Sequence, residues 1–358
     1  MSEDEEEKGD LPELSEDFNI DIDQKANVSL FKRAIMGELS STCLSTVIDP
    51  LDQYVAGWYS DGDIKIFDPH GGEWVKTLQP DSKGAVTSII KFKPNNDLGE
   101  HENVLLGGDD SGNITKYDVT DGKIIETIEW KGEAENKIYA IDYSPNGRQF
   151  AAAGLDTMVR VYDDITMKVV QELDPYKSGH SGHSNRVFWV KFNPEDPNIL
   201  ISGGWDNNII IHDIREKGPV NSIIGANICG ESLDFSGNKI LSGSNRTTKQ
   251  LQIWDLETTK LLENIEWNGK DVFKKQDQWK VFCSKFFKHT DTNKEYILAG
   301  GGATNEIRVF DSDLQPIVSI NNFSRGCFTW DTSATGDSLL CAGGDGVIRL
   351  FRIMFGVD

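Results

Sequence analysis

Two kinds of hydrophobic pattern alternate along most of the chain, and a turn-forming cluster separates them each time. The clearest examples are YVAGWYSDGDIKIFD (54–68), FAAAGLDTMVRVYD (150–163) and ILISGGWDNNIIIHD (199–213). In each, a short apolar run precedes a cluster containing Gly, Asp or Asn, and a run of alternating apolar and polar residues follows it. This arrangement predicts a β-hairpin.

The hairpin pattern is repeated along the chain. Further copies lie at 104–118, 239–255, 296–311 and 339–352. A strand-like run ending near proline precedes four of the copies, and another alternating run follows five of them. Four strands per unit and seven units predict an all-β fold, a seven-bladed β-propeller in which each blade is a four-stranded antiparallel sheet.

The repeats resemble WD repeats, and the resemblance covers about residues 28 to 358. Trp254-Asp255 matches the dipeptide that names this family. Other copies end in variants of it, namely Phe67-Asp68, Tyr117-Asp118, Tyr162-Asp163, His212-Asp213, Phe310-Asp311 and, furthest from the pattern, Phe351-Arg352. The resemblance implies a propeller that binds other proteins, with no cofactor.

The last repeat is too short to supply its own fourth strand. The strand-like segment SLFKRAIMG (29–37) precedes the first strand of blade one. An open ring would leave sheet edges exposed, so we expect this segment to form the outer strand of blade seven and to close the ring. The propeller domain is therefore predicted to span residues 28–358.

Residues 1–27 hold eleven carboxylates and two lysines, and the whole chain has a net charge of −22. So acidic a segment buries too little apolar surface to offset the entropy of ordering, so we interpret 1–27 as an acidic disordered tail. A docking arm for a basic partner is the alternative. The overall charge disfavours direct binding to nucleic acid and to anionic membranes.

The five cysteines form no CxxC pair, and no run approaches the 18 apolar residues of a membrane span. The amino terminus does not follow the pattern of a secretory signal. We therefore expect a protein of a reducing compartment, in the cytoplasm, with the nucleus or the cilium and cytoskeleton as alternatives.

The WD-repeat resemblance also implies a hydrogen-bond network around an aspartate in the turn of a blade. The matching positions are Asp61, Asp156, Asp206 and Asp345 in blades one, three, four and seven. In blade four, Gly182-His183 matches a family Gly-His pair, so we expect His183 to join Asp206. A buried turn carboxylate of this kind accepts backbone N–H groups and makes the turn rigid.

The chain contains no organised catalytic motif. There is no nucleophile elbow, P-loop, HExxH or dinucleotide fingerprint, and no catalytic residue is proposed. His180 and His183 lie three residues apart, but we expect no metal there because no cysteine or organised carboxylate is near. An enzyme of unrecognised type that uses the central channel is the less favoured alternative to a non-catalytic scaffold, and no small-molecule substrate is evident.

Family interaction positions, transferred to this sequence, predict a binding surface on the top face of blades three to six. They are Lys137, Leu155, Arg186, Trp205 and Lys280, with Arg246 and Trp279 on adjoining long loops. Arg and Trp often carry binding energy, and cations stand out in so acidic a chain. We expect a protein partner, within a multi-subunit complex, that presents carboxylates or phosphates beside an apolar anchor.

A narrower alternative is a substrate adaptor of a cullin ubiquitin ligase. Asp206, His212, Asp213 and Arg215 have the spacing of the family motif for docking on the propeller linker of that ligase. His212 stands where the motif has Trp or Tyr.

Overall fold

The strands of the protein follow the repeated hairpins of its sequence. The computed structural model describes residues 18–23, 26, 28–37, 41–80, 87–95, 99–173, 181–216, 218–269, 280–290, 292–302, 305–321 and 323–356, with the backbone alone at 87 and 88. These residues form 29 β-strands and no helix. None of them therefore belongs to a helix that is long and apolar enough to cross a membrane.

Two strands, β1 (Asn19–Ile22) and β2 (Val28–Gly37), precede the first blade. Blade one contains β3 (Cys43–Ile48), β4 (Val55–Tyr59), β5 (Ile64–Phe67) and β6 (Trp74–Leu78). Blade two contains β7 (Thr87–Phe92), β8 (Val104–Asp109), β9 (Ile114–Asp118) and β10 (Lys123–Ile128). Blade three contains β11 (Ile138–Tyr143), β12 (Gln149–Gly154), β13 (Val159–Asp163) and β14 (Val169–Glu172).

Blade four contains β15 (Val187–Phe192), β16 (Ile199–Gly204), β17 (Asn208–Asp213) and β18 (Pro219–Ile224). Blade five contains β19 (Leu233–Ser236), β20 (Lys239–Gly243), β21 (Leu251–Asp255) and β22 (Leu261–Asn264). Blade six contains β23 (Lys280–Lys288), β24 (Glu295–Gly302), β25 (Ile307–Phe310) and β26 (Pro316–Asn321). Blade seven contains β27 (Cys327–Thr332), β28 (Ser338–Gly343) and β29 (Val347–Phe355).

Each blade is an antiparallel meander, and the apolar core lies between blades. Consecutive strands pair in chain order within blades one to six. One apolar cluster joins Val47 and Trp58 of blade one to Ile90 and Phe92 of blade two, and equivalent clusters lie between other blades. The predicted seven-bladed propeller is confirmed.

The turns between second and third strands need a residue in the left-handed region. Gly62 takes this conformation in blade one with φ +96°, and Asn207 takes it in blade four with φ 62°. Glycine adopts it without steric cost, and asparagine tolerates it. Thr157 holds φ 68° at the same place in blade three, where its branched side chain makes the conformation costly.

A buried ion-pair cluster joins blades two and three. Asp164, from the turn after β13, accepts from Lys93 at 2.9 Å and from Lys116 at 2.8 Å. The hydroxyl of Tyr143 donates to the same carboxylate at 3.0 Å. Because Asp164 is almost fully buried, these three partners provide the compensation that an ionised carboxylate needs in the interior.

The ring is closed by two strands from opposite ends of the chain. β2 pairs with β29 antiparallel, from Val28 opposite Phe355 to Gly37 opposite Val347. β29 also pairs with β28, so blade seven has four strands. The predicted closure by the segment 29–37 is therefore confirmed.

β1 differs from the sequence prediction, which places it in a disordered tail. It lies antiparallel to β26 and makes blade six a five-stranded sheet, with Asn19 opposite Asn321 and Ile22 opposite Val318. Phe18, Ile20 and Ile22 pack against the apolar cluster of blades six and seven. Their alternation is enough to form a strand because β26 offers a free edge. Residues 1–17 lie outside the described part of the chain.

The side chain of Phe18, just before β1, contacts blade seven. Its ring meets the ring of Phe351 edge-on at 5.5 Å between centroids and stacks on Phe323 at 6.4 Å. The Arg349 guanidinium lies 5.9 Å from the Phe18 ring and 4.9 Å from the Phe323 ring. Phe18 and β1 therefore connect blade six with β29 of blade seven.

We expect a chain truncated to begin at residue 24 to unfold at a lower temperature than the full chain. The truncation exposes the edge of β26 and removes the Phe18 contacts. Phe18→Ala alone should cost about 1–3 kcal/mol, because the side chain is partly buried. Calorimetry measures both effects, and a chain that begins at residue 18 is the control. If the chain that begins at residue 24 and the Phe18→Ala chain both melt at the temperature of the full chain, the role given to β1 is contradicted.

Candidate functional site

The top face is formed by the turns between second and third strands and by the connections from one blade to the next. Trp205 lies on it in the turn after β16, with 42% of its surface exposed. The guanidinium of Arg186, just before β15, lies 5.3 Å from the indole ring. The backbone N–H of Trp205 donates to the carbonyl of Arg186 at 3.2 Å. Two of the predicted binding residues therefore form one cation–π pair.

An aromatic row extends from this pair towards blade three. The Phe188 ring stacks on Trp205 at 4.9 Å, and the Tyr139 ring stacks on Phe188 at 4.8 Å. Tyr139 and Phe188 are the second residues of β11 and β15, and both are half-buried. The sequence analysis missed them, although an aromatic residue also holds this place in blades six and seven, as Phe282 and Phe328. That repeated aromatic was the signal available.

Lys137 and Leu155 occupy in blade three the places that Arg186 and Trp205 occupy in blade four. The Leu155 N–H donates to the Lys137 carbonyl at 2.9 Å. The Lys137 ammonium lies 3.3 Å from Glu135, and its hydrogen bond to that carboxylate raises the pKa of the lysine. A charge already paired with Glu135 is less available to a partner than that of Arg186.

The blade-five side of the surface is joined to Trp205 through Asn227. The Asn227 amide donates to the Trp205 carbonyl at 3.2 Å, and its backbone carbonyl accepts from Asn245 at 2.9 Å. Arg246 follows directly, is exposed, and donates to the carbonyl of Gly225. Lys280 is exposed at the start of β23. Trp279 lies outside the described residues.

A chain of four side chains holds the Trp205 turn from beneath. His183 Nδ1 lies 2.9 Å from Asp206 Oδ2, and His183 Nε2 lies 2.8 Å from Ser202 Oγ. Ser202 Oγ lies 2.8 Å from Nε2 of His212. Donor and acceptor balance gives one consistent assignment, in which His212 donates to Ser202, Ser202 to His183, and His183 to Asp206.

The charges of this chain follow from its burial. Although burial alone would raise the pKa of Asp206, the hydrogen bonds from His183 and from the N–H groups of Ser184 and Asn208 hold it below the usual value. Burial, with a smaller contribution from His183, lowers the pKa of His212 to about 3. His212 is therefore neutral at pH 7 and serves as a donor. Trp254 does the same in blade five, donating from Nε1 to Ser242 at 2.9 Å.

The other predicted turn aspartates have different partners. Asp156 pairs with Arg160 at 2.6 Å, and Asp345 pairs with Arg349 at 2.7 Å. In both blades the arginine lies four residues after the aspartate and takes the place of a histidine. Asp61 is exposed, and it accepts from Ser41 Oγ at 2.9 Å and from the N–H of Asp63 at 3.1 Å.

Asp206→Ala is expected to lower the free energy of unfolding by about 1–3 kcal/mol, because it leaves His183 and the N–H of Ser184 without their acceptor. Asp61→Ala is the matched control, since that carboxylate holds an equivalent turn but faces water. Denaturant unfolding of both variants measures the difference. Equal losses would show that the buried chain of blade four adds nothing to an ordinary turn.

Charged residues of alternating sign line the central channel. Equivalent positions of the first strands hold Lys91, Asp142, Lys191, Asp234, Lys285 and Asp331 in blades two to seven, and Val47 in blade one. Lys191 lies 3.5 Å from Asp142, and Lys285 lies 2.7 Å from Asp331. Lys285 and Lys91 hold the pKa of Asp331 below its usual value against the opposing effect of burial.

The aspartates of this ring also bridge neighbouring blades. Asp142 accepts the N–H of Phe192 at 2.9 Å, and Asp234 accepts the N–H of Phe286 at 2.9 Å. Asp331 accepts the N–H of Ile48 at 3.1 Å. In each pair the aspartate of one blade caps the first strand of the next. The ring therefore holds the inner strands together by charge and by hydrogen bonds.

Glu231 crosses the channel from blade five. Its Oε1 accepts from Ser45 Oγ of blade one and from Thr329 Oγ1 of blade seven, each at 3.3 Å. Burial raises the pKa of Glu231 to about 7, although Lys91 and Lys285 oppose the rise. The channel here is a packed polar core, with a void of about 20 Å³ beside Glu231.

Replacing Glu231 by Gln is expected to flatten the dependence of stability on pH. Because the pKa of Glu231 is raised on folding, its stabilising protonated form prevails at low pH. Its contribution is lost as the pH rises from about 4.5 to about 7, by up to about 3 kcal/mol. Melting temperatures at pH 5 and pH 8 for both proteins measure this. A parallel fall in both would contradict the assignment.

Within the described residues, no group of three His, Cys, Asp or Glu side chains is arranged to hold a metal ion. Cys43, Cys283, Cys327 and Cys341 are buried and free. Burial is the main reason that the pKa of the Cys283 thiol is raised. Arg215 is exposed, and it forms a two-pronged pair with Asp213 at 2.8 and 2.6 Å.

Two stretches of the chain match the family model described as WD domain, G-beta repeat. They are residues 122–163 and 175–213. Each match ends at the final Asp of a third strand, in blades three and four. These two stretches are WD repeats. The first match begins at the outer strand of the preceding blade, so the WD repeat is offset from the blade by one strand.

Several known proteins resemble this chain over part of its length. The WD repeat-containing protein 89 homolog of Dictyostelium discoideum is 28% identical over 235 residues, which is 63% of this chain and 60% of that protein. COMPASS component SWD3 of Saccharomyces cerevisiae is 29% identical over 158 residues, 42% of this chain and 47% of that protein.

The protein named cell division cycle 20.1, cofactor of APC complex, of Arabidopsis thaliana is 25% identical over 138 residues. This match covers 38% of the present chain and 28% of that protein. The chain thus spans less than two thirds of the length of each of these relatives. Two of the three names place the relative in a multi-subunit complex.

Proposed function

We propose that the protein is a non-catalytic scaffold that binds a segment of another protein on the top face of blades three to five. The observation that carries this proposal is the exposed Trp205, stacked between Arg186 and Phe188. An exposed tryptophan with rigid neighbours offers apolar contact area at low entropic cost, and the arginine beside it pairs with acidic groups. The partner is expected to present an apolar anchor next to a carboxylate or phosphate.

The position of the pair supports the same proposal. Trp205 directly precedes Asp206, and Arg186 follows His183 by three residues. Both binding side chains are therefore held by the buried hydrogen-bond chain. Binding groups on a rigid frame lose little entropy when a partner docks. The names of two relatives, which place them in complexes, support a role as a subunit.

The cullin-adaptor alternative receives less support. The Arg215 side chain is 61% exposed, but its guanidinium is already forked on Asp213. A docking contact through Arg215 would have to compete with that pair. The aromatic position of the motif is the buried His212, which donates to Ser202 and presents no surface.

The double variant Arg186→Glu with Trp205→Ala is expected to lose the dominant partner and to keep its melting temperature nearly unchanged. Loss of a central tryptophan and reversal of its neighbouring charge should weaken binding by about 2–4 kcal/mol. Affinity purification with quantitative mass spectrometry from the native organism measures the loss.

The matched control is Trp74→Ala with Lys123→Glu. These two side chains are 62% and 76% exposed on the outer strands of blades one and two, away from the top face. The control should retain every partner. If the top-face variant also retains them all, the binding surface lies elsewhere on the propeller.

A further inference from the structure

A second concave site lies where the first strands of blades two, three and four end. It is a cavity of about 180 Å³. Each of the three blades contributes the same kinds of residue to its wall, namely a charged residue, an aromatic residue and a proline. They are Lys91, Phe92 and Pro94, then Asp142, Tyr143 and Pro145, then Lys191, Phe192 and Pro194.

The residues of the cavity wall differ in how deeply they are buried. Phe92, Tyr143 and Phe192 are buried in its wall, whereas Pro194 is exposed. An apolar cavity of roughly 150 Å³ is large enough to hold benzene. The volume and the aromatic wall therefore suit one six-membered ring together with a small polar group.

The wall of the cavity holds two lysines and one carboxylate. Lys91 and Lys191 face Asp142 there, and Asp331 and Glu231 of the channel also attract Lys91 from farther away. Lys191 already has Asp142 at 3.5 Å. In the described part of the chain, Lys91 has no carboxylate within the 4.0 Å limit for an ion pair. Its ammonium lies 5.4 Å from the ring of Trp189.

We infer that this cavity binds a small organic carboxylate with an apolar ring, and that Lys91 supplies the ion pair. The carboxylate would give Lys91 an ion-pair partner within 4.0 Å, such as Lys191 and Lys285 already have in Asp142 and Asp331. A charge-assisted hydrogen bond at a partly buried lysine is stronger than the same bond in water. The ring of the ligand would lie against Phe92, Tyr143 and Phe192. This site is separate from the top-face surface and does not depend on the proposed scaffold function.

Benzoate is the probe, and the full-length protein is titrated with it by isothermal calorimetry and by ligand-observed NMR. Saturable binding with a Kd on the order of 1 mM is expected for so small a ligand. Benzamide, which has the same shape and no charge, should bind at least tenfold more weakly. Failure of benzoate to saturate, or equal binding of benzamide, would overturn the proposal.

Two substitutions with opposite effects distinguish a built site from damage to the fold. Lys91→Met should weaken benzoate binding about tenfold by removing the ion pair. Asp142→Asn removes the opposing carboxylate while keeping an acceptor for the Phe192 N–H, so it should tighten binding several-fold.

The control Lys123→Met, on the outer strand of blade two, should change nothing. Unchanged affinity in Lys91→Met would overturn the proposal. If Lys91→Met fails to fold, weaker binding in Asp142→Asn would overturn it.

Discussion

The pairing of β2 with β29 is the interaction on which the rest of the structure depends. Within the other blades, strands that follow one another in sequence pair with one another, and each such contact is local. Blade seven and the added strand β1 of blade six join segments some 300 residues apart, as when Val28 meets Phe355 and Asn19 meets Asn321. Bringing such distant segments together costs conformational entropy, and no covalent link offsets it. Phe18 and β1 add further contacts next to this pairing, so they also stabilise the closure of the ring.

The alternating charges of the central channel are limited by a second constraint, which is the number of blades. Charges of alternating sign attract both neighbours only in a ring with an even number of positions. A seven-bladed propeller has an odd number, so two like charges would have to meet at one place. Val47 in blade one occupies that place, between Asp331 and Lys91, and packs with Ile90 and Phe92 instead. The N–H of Ile48 still donates to Asp331 of the preceding blade, as the N–H groups of Phe192 and Phe286 donate to Asp142 and Asp234.

How much the sequence predicts depends on whether a feature repeats. The blades were predictable because the same hairpin recurs, and the role of 29–37 followed from the count of strands. β1 was not predicted, because its alternating Phe18, Ile20 and Ile22 lie within an acidic segment. The edge of β26 that it covers also exists only in the folded ring. The cluster of Asp164 with Lys93 and Lys116 was not predicted for a related reason. Its members come from different blades, and no spacing along the chain brings them together.

The proposed binding positions could be located in the sequence for the opposite reason, because they repeat. Trp205, Arg186, Lys137 and Leu155 hold equivalent positions in neighbouring repeats, so knowledge of one repeat located all four. What sequence could not provide was their relation to Phe188 and Tyr139, since stacking depends on how closely adjacent first strands approach. It also could not separate Arg186, stacked on Trp205, from Lys137, paired with Glu135.

Blade four combines a turn held by a buried hydrogen-bond chain with an exposed tryptophan, and the two features are linked. Asp206 is held by His183 and by the N–H of Ser184, so the backbone of Trp205 has little freedom even though its side chain faces water. In blade one the equivalent Asp61 is itself exposed and holds its turn through fewer buried contacts. The buried chain from His212 to Asp206 holds the turn that carries Trp205, so the stability of this turn and the presentation of the proposed binding surface depend on the same hydrogen bonds.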